Sequence, residues 1–222
     1  MKTILFDLDG TLVDHFAAIT NSIRFAQAQL GLEASSEAAV RAAVGGGIQL
    51  TLTRLIGAQA APAAVPHFHT HFADNLYDGL EWLPGAKWLL ESLHARGDCQ
   101  LAVFTNKPGV YSRKIADYLG MAPLLAANVG AGDTPYCKPD PAFSQYILEQ
   151  LDAEPSATLM VGDSPFDYQA AQAGGFNCLL VSTGTHDAAA LRAETAASDI
   201  HTNLYELAAA HFQLTPPSGL SL

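Results

Sequence analysis

The chain has 222 residues, 49% hydrophobic and 15% charged, a composition that fits a packed globular protein and excludes a disordered one. Lys and Arg number 11 against 22 Asp and Glu, giving a formal charge of −11 with no basic run, which excludes nucleic acid as an expected partner. The three cysteines, Cys99, Cys137 and Cys178, have no C-x-x-C spacing, which excludes a disulfide framework or a zinc site; they read as buried thiols.

A short apolar run makes residues 3–8 a strand, and because Asp7 and Asp9 interrupt it, it is neither a signal peptide nor a membrane span. A cytoplasmic protein with no membrane partner is expected. Next comes a helix with Asp14 as N-cap, Phe16, Ile19, Ile23, Ala26 and Leu30 along one stripe, and Gly31 as its stop. Helical patterns follow over 37–44, 48–56 and 63–77. Gly45-Gly46-Gly47, between the first two, reads as a tight turn or as a place where backbone can approach a ligand. The about ninety residues between the first strand and the next are far more than one crossover helix needs, so an inserted helical module is expected.

Beyond Pro84-Gly85, a helix through Leu89, Leu90 and Leu93 closes at Gly97, a strand covers 100–105, and a helix covers 109–119. Further strands are expected over 158–162, 177–182 and 199–201. Runs such as Leu101-Ala102-Val103-Phe104 are apolar without alternation, as strands covered on both faces are. The fold class is therefore α/β, a doubly wound parallel sheet with an inserted helical domain. The boundaries read as a core of 1–14 and 81–212, a helical insert of 15–80, and a loose tail over 213–222 that carries two prolines and no charge.

The chemistry-bearing residues stand where apolar runs end, as ligand-binding groups do in open parallel sheets. Phe6-Asp7-Leu8-Asp9-Gly10-Thr11 sets two carboxylates on a strand-to-loop turn. Alone it also fits an acidic turn or a calcium-loop fragment. With Thr105 after the second strand, Lys138 in Lys138-Pro139-Asp140-Pro141, and Asp163 and Asp167 after the third apolar run, it reads as a phosphoryl-transfer site. Asp7 is the expected nucleophile, and Asp9 the group that protonates the leaving oxygen and later takes a proton from water. Thr105, with Asn106 and the N–H groups that follow, is expected to bind phosphoryl oxygens, and Lys138 to neutralise charge. A carboxylate attacking an anionic ester needs a divalent cation; Mg2+ fits, with Asp7 and Asp163 as side-chain ligands and Asp167 holding a metal-bound water or orienting Lys138.

In order and type these four motifs resemble those of the haloacid dehalogenase superfamily, over about residues 3–212, and specifically its phosphatase branch, which includes phosphoglycolate phosphatase. The resemblance implies that superfamily's Rossmann-like core with a helical cap, the Asp9 carbonyl as a third metal ligand, and a small phosphorylated metabolite, phosphoglycolate first, as substrate. The dehalogenase branch usually lacks the second aspartate that Asp9 supplies. The alternatives are a sugar-phosphate mutase, disfavoured by Ile19 where the related mutases carry a histidine, and a non-catalytic phosphometabolite-binding protein.

Weaker candidates for substrate specificity are His15, Gly46, Arg54 and Lys107. Their bland readings are a solvated first-turn histidine, a turn glycine, a solvated helix face and a surface lysine. His67, His69 and His71 read as a polar helix face, since no carboxylate completes a metal site with them.

Overall fold

The computed structural model describes residues 2–217; residues 218–222 of the expected tail lie outside the described residues. In chain order the elements are β1 (Lys2–Phe6), β2 (Val13–Asp14), α1 (Phe16–Gln29), α2 (Glu37–Ala43), α3 (Ile48–Asp74), β3 (Glu81–Trp82), α4 (Ala86–Arg96) and β4 (Cys99–Pro108). They continue with α5 (Gly109–Tyr118), β5 (Ala127–Ala131), α6 (Pro141–Gln150), β6 (Thr158–Gly162), α7 (Pro165–Gly174), β7 (Asn177–Val181), α8 (Ala188–Glu194), β8 (Ile200–His201) and α9 (Leu204–Phe212). The chain divides into two compact units, Met1–Val13 with Trp82–Leu222, and Asp14–Glu81.

The first unit is built on a six-stranded sheet in the order β5-β4-β1-β6-β7-β8, with parallel pairing throughout. From β1 the chain steps outward to β4 and β5, then returns past β1 to β6, β7 and β8. Right-handed crossovers put the helices of the outward steps on one face and those of the return steps on the other. On the return face, Phe143 and Ile147 of α6 and Ala170 and Ala171 of α7 pack with Leu5, Ala102, Phe104 and Met160 of the strands. Opposite, α4 buries Leu89, Leu90 and Leu93, α9 buries Leu204 and Leu207, and the two helices pack together. Central strands covered on both faces can carry no alternation of polar residues, hence the continuous apolar runs. The direction reverses around β1, so the crevice beyond the carboxyl ends of β4, β1 and β6 is the switch point where such sheets bind ligands.

β5 was not expected from the sequence: Ala127-Asn128-Val129-Gly130-Ala131 has a single β-branched residue. It forms because β4 offers it a ladder, and Gly130 admits the Lys107 carbonyl and Gly109 where a Cβ would collide with both. The thiols also differ from expectation. Cys99 and Cys178 are partly buried, but Cys137 is exposed, because it stands in the loop leading to Lys138 and not on a strand.

In the helical unit α1 packs on α3. Its N-cap is His15, without a side-chain cap bond, and Asp14 instead accepts the Phe16 N–H through Oδ1 at 3.0 Å. α3 consists of two helical segments, as expected, which meet at a kink at Gly57, whose φ of 83° and ψ of 157° are non-helical values that glycine adopts at little cost; the second segment begins directly after Gly57, earlier than the expected residue 63. The intervening alanines sustain helix without any apolar stripe to announce it. Among the described residues no helix is long and apolar enough to cross a membrane.

Phe143 is fully buried, with its ring centroid 4.7 Å from that of Phe104. Phe143→Ala should lower unfolding stability by about 3–5 kcal/mol, measured by urea denaturation with the slope unchanged.

Candidate active site

The crevice gathers its charged groups from four segments of the first unit. Asp7 follows β1, Asp163 follows β6, Asp167 lies in the first turn of α7, and Lys138 comes from the loop between β5 and α6. All four residues are buried, with relative exposures of 8% for Asp7, 2% for Asp163, 0% for Asp167 and 3% for Lys138. Lys138 Nζ donates to Asp7 Oδ1 at 2.8 Å, to Asp167 Oδ1 at 2.6 Å and to the Phe104 carbonyl at 2.8 Å. An ammonium has three hydrogens, and these three acceptors use all of them.

Asp167 serves as a structural pivot. Its Oδ2 accepts from the Asp163 and Ser164 N–H groups at 3.2 and 3.0 Å and from the Ser164 hydroxyl at 2.7 Å, which fixes the turn that starts α7. Of the two roles open to Asp167 in the sequence, orienting Lys138 is visible as a bond. Gly162 has no side chain at the point where a Cβ would strike Asp167.

Three consecutive residues at the end of β4, Thr105, Asn106 and Lys107, bond around these groups. Thr105 Oγ1 accepts the Lys107 N–H at 3.1 Å, so the hydroxyl braces the carboxyl-terminal end of β4, where its register with β5 shifts. Asn106 brackets the Lys138 backbone, its Nδ2 donating to the Lys138 carbonyl at 3.0 Å and its Oδ1 accepting the Lys138 N–H at 2.7 Å. The Asn106 amide is thus turned to Lys138. Lys107 Nζ donates to both carboxylate oxygens of Asp9, at 3.0 and 2.8 Å.

The loop after β7, which the sequence reading did not single out, holds Asp163. The Thr185 N–H donates to Asp163 Oδ2 at 3.0 Å, Thr11 Oγ1 donates to Oδ1 at 3.3 Å, and the Thr183 hydroxyl donates to the Gly10 carbonyl at 2.6 Å. Gly184 and Gly10 leave room for the carboxylate: a Cβ on either would collide with it. The available signal was a Thr-Gly-Thr run at the carboxyl end of a parallel strand next to β6.

The cap candidates sit in the helical unit. His15 is fully buried, its Nε2 donating to the Leu76 carbonyl at 2.6 Å and its ring 5.2 Å from Phe72. Arg54 Nη1 donates to the Ala43 carbonyl at 2.9 Å and so satisfies the C-terminal end of α2. Gly46 lies in the turn between α2 and α3, flanked by Gly45 and Gly47 at φ of 134° and 86°. His71 faces the Ser22 hydroxyl at 3.0 Å and stacks near Phe25.

Electrostatically the crevice is short of cations. Asp7, Asp9, Asp163 and Asp167 against Lys107 and Lys138 leave a formal surplus of two negative charges. Burial, with Asp167 and Asp9 adding to it against the pull of Lys138, pushes Asp7 up to about 6. Burial, then Asp167 and Asp7, drive Asp163 well above the ordinary carboxylate range. Burial works against the charge on Lys138, but Asp167 and Asp7 together outweigh it and raise its pKa. One carboxylate oxygen from each of Asp7, Asp163 and Asp167 lies within 4.8 Å of the others. An all-oxygen, buried donor set with two uncompensated charges fits a hard divalent cation.

With the geometry in place, comparison with known proteins decides the family. Residues 4–181 match the family model described as haloacid dehalogenase-like hydrolase. The chain belongs to that family. It is 36% identical to the phosphoglycolate phosphatase of Rhodospirillum rubrum over 82% of this chain and 80% of that one. It is 32% identical to the phosphoglycolate phosphatase of Aquifex aeolicus over 83% of this chain and 86% of that one. Among solved structures, a protein from Haemophilus somnus described as a predicted phosphoglycolate phosphatase superposes with a TM-score of 0.84 at 27% identity, covering 95% of this chain and 97% of that one. A predicted phosphatase from Clostridium acetobutylicum shares the fold at a TM-score of 0.87, with 24% identity over 96% of this chain and 99% of that one. The fold expected for this haloacid dehalogenase-like hydrolase, a parallel α/β sheet, is the one observed.

The surplus charge has a consequence for stability. A carboxyl whose pKa is raised on folding stabilises the folded chain at low pH, and that contribution is lost as pH rises through the raised value. At pH 8 without divalent metal, Asp163→Asn should therefore raise the melting temperature by several degrees, about 1–2 kcal/mol in a chain of this size. Added magnesium should raise the melting temperature of the wild type and leave the variant unchanged. Both are read by scanning calorimetry.

Proposed function

We propose that this enzyme is a magnesium-dependent phosphatase that hydrolyses small phosphate monoesters through an aspartyl-phosphate, with phosphoglycolate as the leading substrate. The observation that carries the reading is Asp7, fixed at the end of the central strand by Lys138 with Asp9 two residues on. The names of the 36% and 32% identical relatives support the substrate.

Asp7, Asp163 and the Asp9 carbonyl would hold the cation, which when bound would supply positive charge to offset that of the carboxylates and the phosphoryl group. In the first step Asp7 forms a bond to phosphorus as the ester P–O bond breaks, and Asp9 delivers its proton to the departing alkoxide. In the second, Asp9 takes a proton from water as the water oxygen bonds to phosphorus and the Asp7–phosphorus bond breaks. Orthophosphate leaves and the Asp7 carboxylate is restored. Lys138 offsets the negative charge that Asp7 and the phosphoryl group share, and Thr105, whose oxygen already accepts the Lys107 N–H, has its O–H hydrogen to donate to a phosphoryl oxygen.

Orthophosphate release should be measured from phosphoglycolate and from sugar, nucleotide and pyrophosphate substrates, with magnesium or EDTA. Wild type should turn over phosphoglycolate fastest, EDTA should abolish release, and Asp7→Asn should lower kcat at least about a thousandfold. Near-native turnover by Asp7→Asn would refute the nucleophile assignment, and a different best ester would refute the substrate.

A further inference from the structure

Lys107 is the cation in the crevice whose partner no local pattern announces. Its side chain is only 4% exposed and that of Asp9 16%, so the pair lies largely out of water. A lysine bonded to both oxygens of one carboxylate at 3.0 and 2.8 Å fixes that carboxylate's rotation as well as its charge.

The base from which Lys107 reaches is itself rigid. Its N–H is bonded to Thr105 Oγ1, and its carbonyl abuts Gly130 where a side chain would collide. Gly130 in turn donates its N–H to Asp133 Oδ2 at 2.9 Å, and Asp133 is held by both Arg113 Nη groups at 2.8 and 2.9 Å. The register shift of the β4–β5 ladder between Thr105 and Pro108 lies at this point, where it re-aims the strand end.

Asp9 needs such a fixture. It shares a turn with Asp7, and like charges so close repel; the charge on Asp9 is among the causes that raise Asp7. Without Lys107 the Asp9 carboxylate would lose the two bonds that fix its rotation.

We infer that Lys107 is a positioning residue for Asp9: it holds the carboxylate beside Asp7 and in the orientation that proton transfer to the leaving group requires, acting on the reaction through Asp9 and not by binding substrate. The Thr105-Asn106-Lys107 run then carries one positioning task per residue. Thr105 braces the strand end, Asn106 sets the Lys138 backbone, and Lys107 sets Asp9.

The inference rests on the phosphatase reading only for its kinetic consequence, so the test has two arms. In the first, kcat and KM for magnesium-dependent orthophosphate release from phosphoglycolate, or from whichever ester is turned over fastest, are compared for wild type, Lys107→Met, Asp9→Asn and the double variant. Lys107→Met should lower kcat about a hundredfold with KM changed less than about threefold, and the double variant should be no slower than Asp9→Asn by more than about twofold, because two residues acting as a unit do not add. A KM raised more than about tenfold at near-native kcat, or losses that multiply in the double variant, would overturn the inference. In the second arm, a crystal structure of Lys107→Met should show the Asp9 side chain in a different rotamer with the main chain in place. Asp9 unmoved there would overturn the inference equally. Should wild type release no phosphate from any ester, the phosphatase reading fails and the rotamer of Asp9 still decides the role of Lys107.

Discussion

The Lys138 ammonium, shared among Asp7, Asp167 and the Phe104 carbonyl, is the interaction on which the rest of the crevice depends. Three buried carboxylates cannot be assembled without a cation: removing one partner of a buried ion pair typically costs about 3–5 kcal/mol because a charge is left stranded. The sheet order makes the assembly possible. β1 lies between β4 and β6, so the residues that follow these strands converge on one point, and the loop after β5 supplies the lysine. Asn106 then clamps the Lys138 backbone, which ties the cation to the strand end whose Phe104 carbonyl accepts from its Nζ.

The same arithmetic explains why the site is stable only in part. Four carboxylates are offset by two lysines, and burial pushes Asp7 and Asp163 toward holding protons. A crevice built for stability alone would carry fewer acids. The residual charge suits a divalent cation and, with it bound, an anionic ester that the chain's overall charge of −11 would otherwise repel. Stability is given up where the chemistry needs charge, as is usual at active sites.

Much of this was legible in the sequence, and the parts that were not share a cause. Continuous apolar runs over Leu101 to Phe104 and at Leu179-Leu180-Val181 announced buried parallel strands, and acidic or hydroxyl residues at their ends announced the crevice. β5 was hidden because its stability comes from the neighbouring strand and from the absence of side chains at Gly130, not from its own propensity. The start of the helix after Gly57 was hidden, since the alanines there sustain helix without periodicity. Within the crevice, residue types were readable but partners were not. Lys107 reaches Asp9 across 98 positions, Asn106 reaches Lys138 across 32, and Thr185 reaches Asp163 across 22. Such pairings are set by strand order, and no local pattern encodes them.

The formation of a bond between Asp7 and phosphorus is open to direct test. The most direct measurement is to mix the magnesium-loaded enzyme with phosphoglycolate, quench in acid within milliseconds, digest, and weigh the peptides. The peptide that contains Asp7 should carry the added mass of one phosphoryl group, localised to Asp7 by fragmentation and lost on treatment with hydroxylamine. Turnover with no phosphorylated peptide at any quench time, or with the phosphoryl group on another residue, would contradict it.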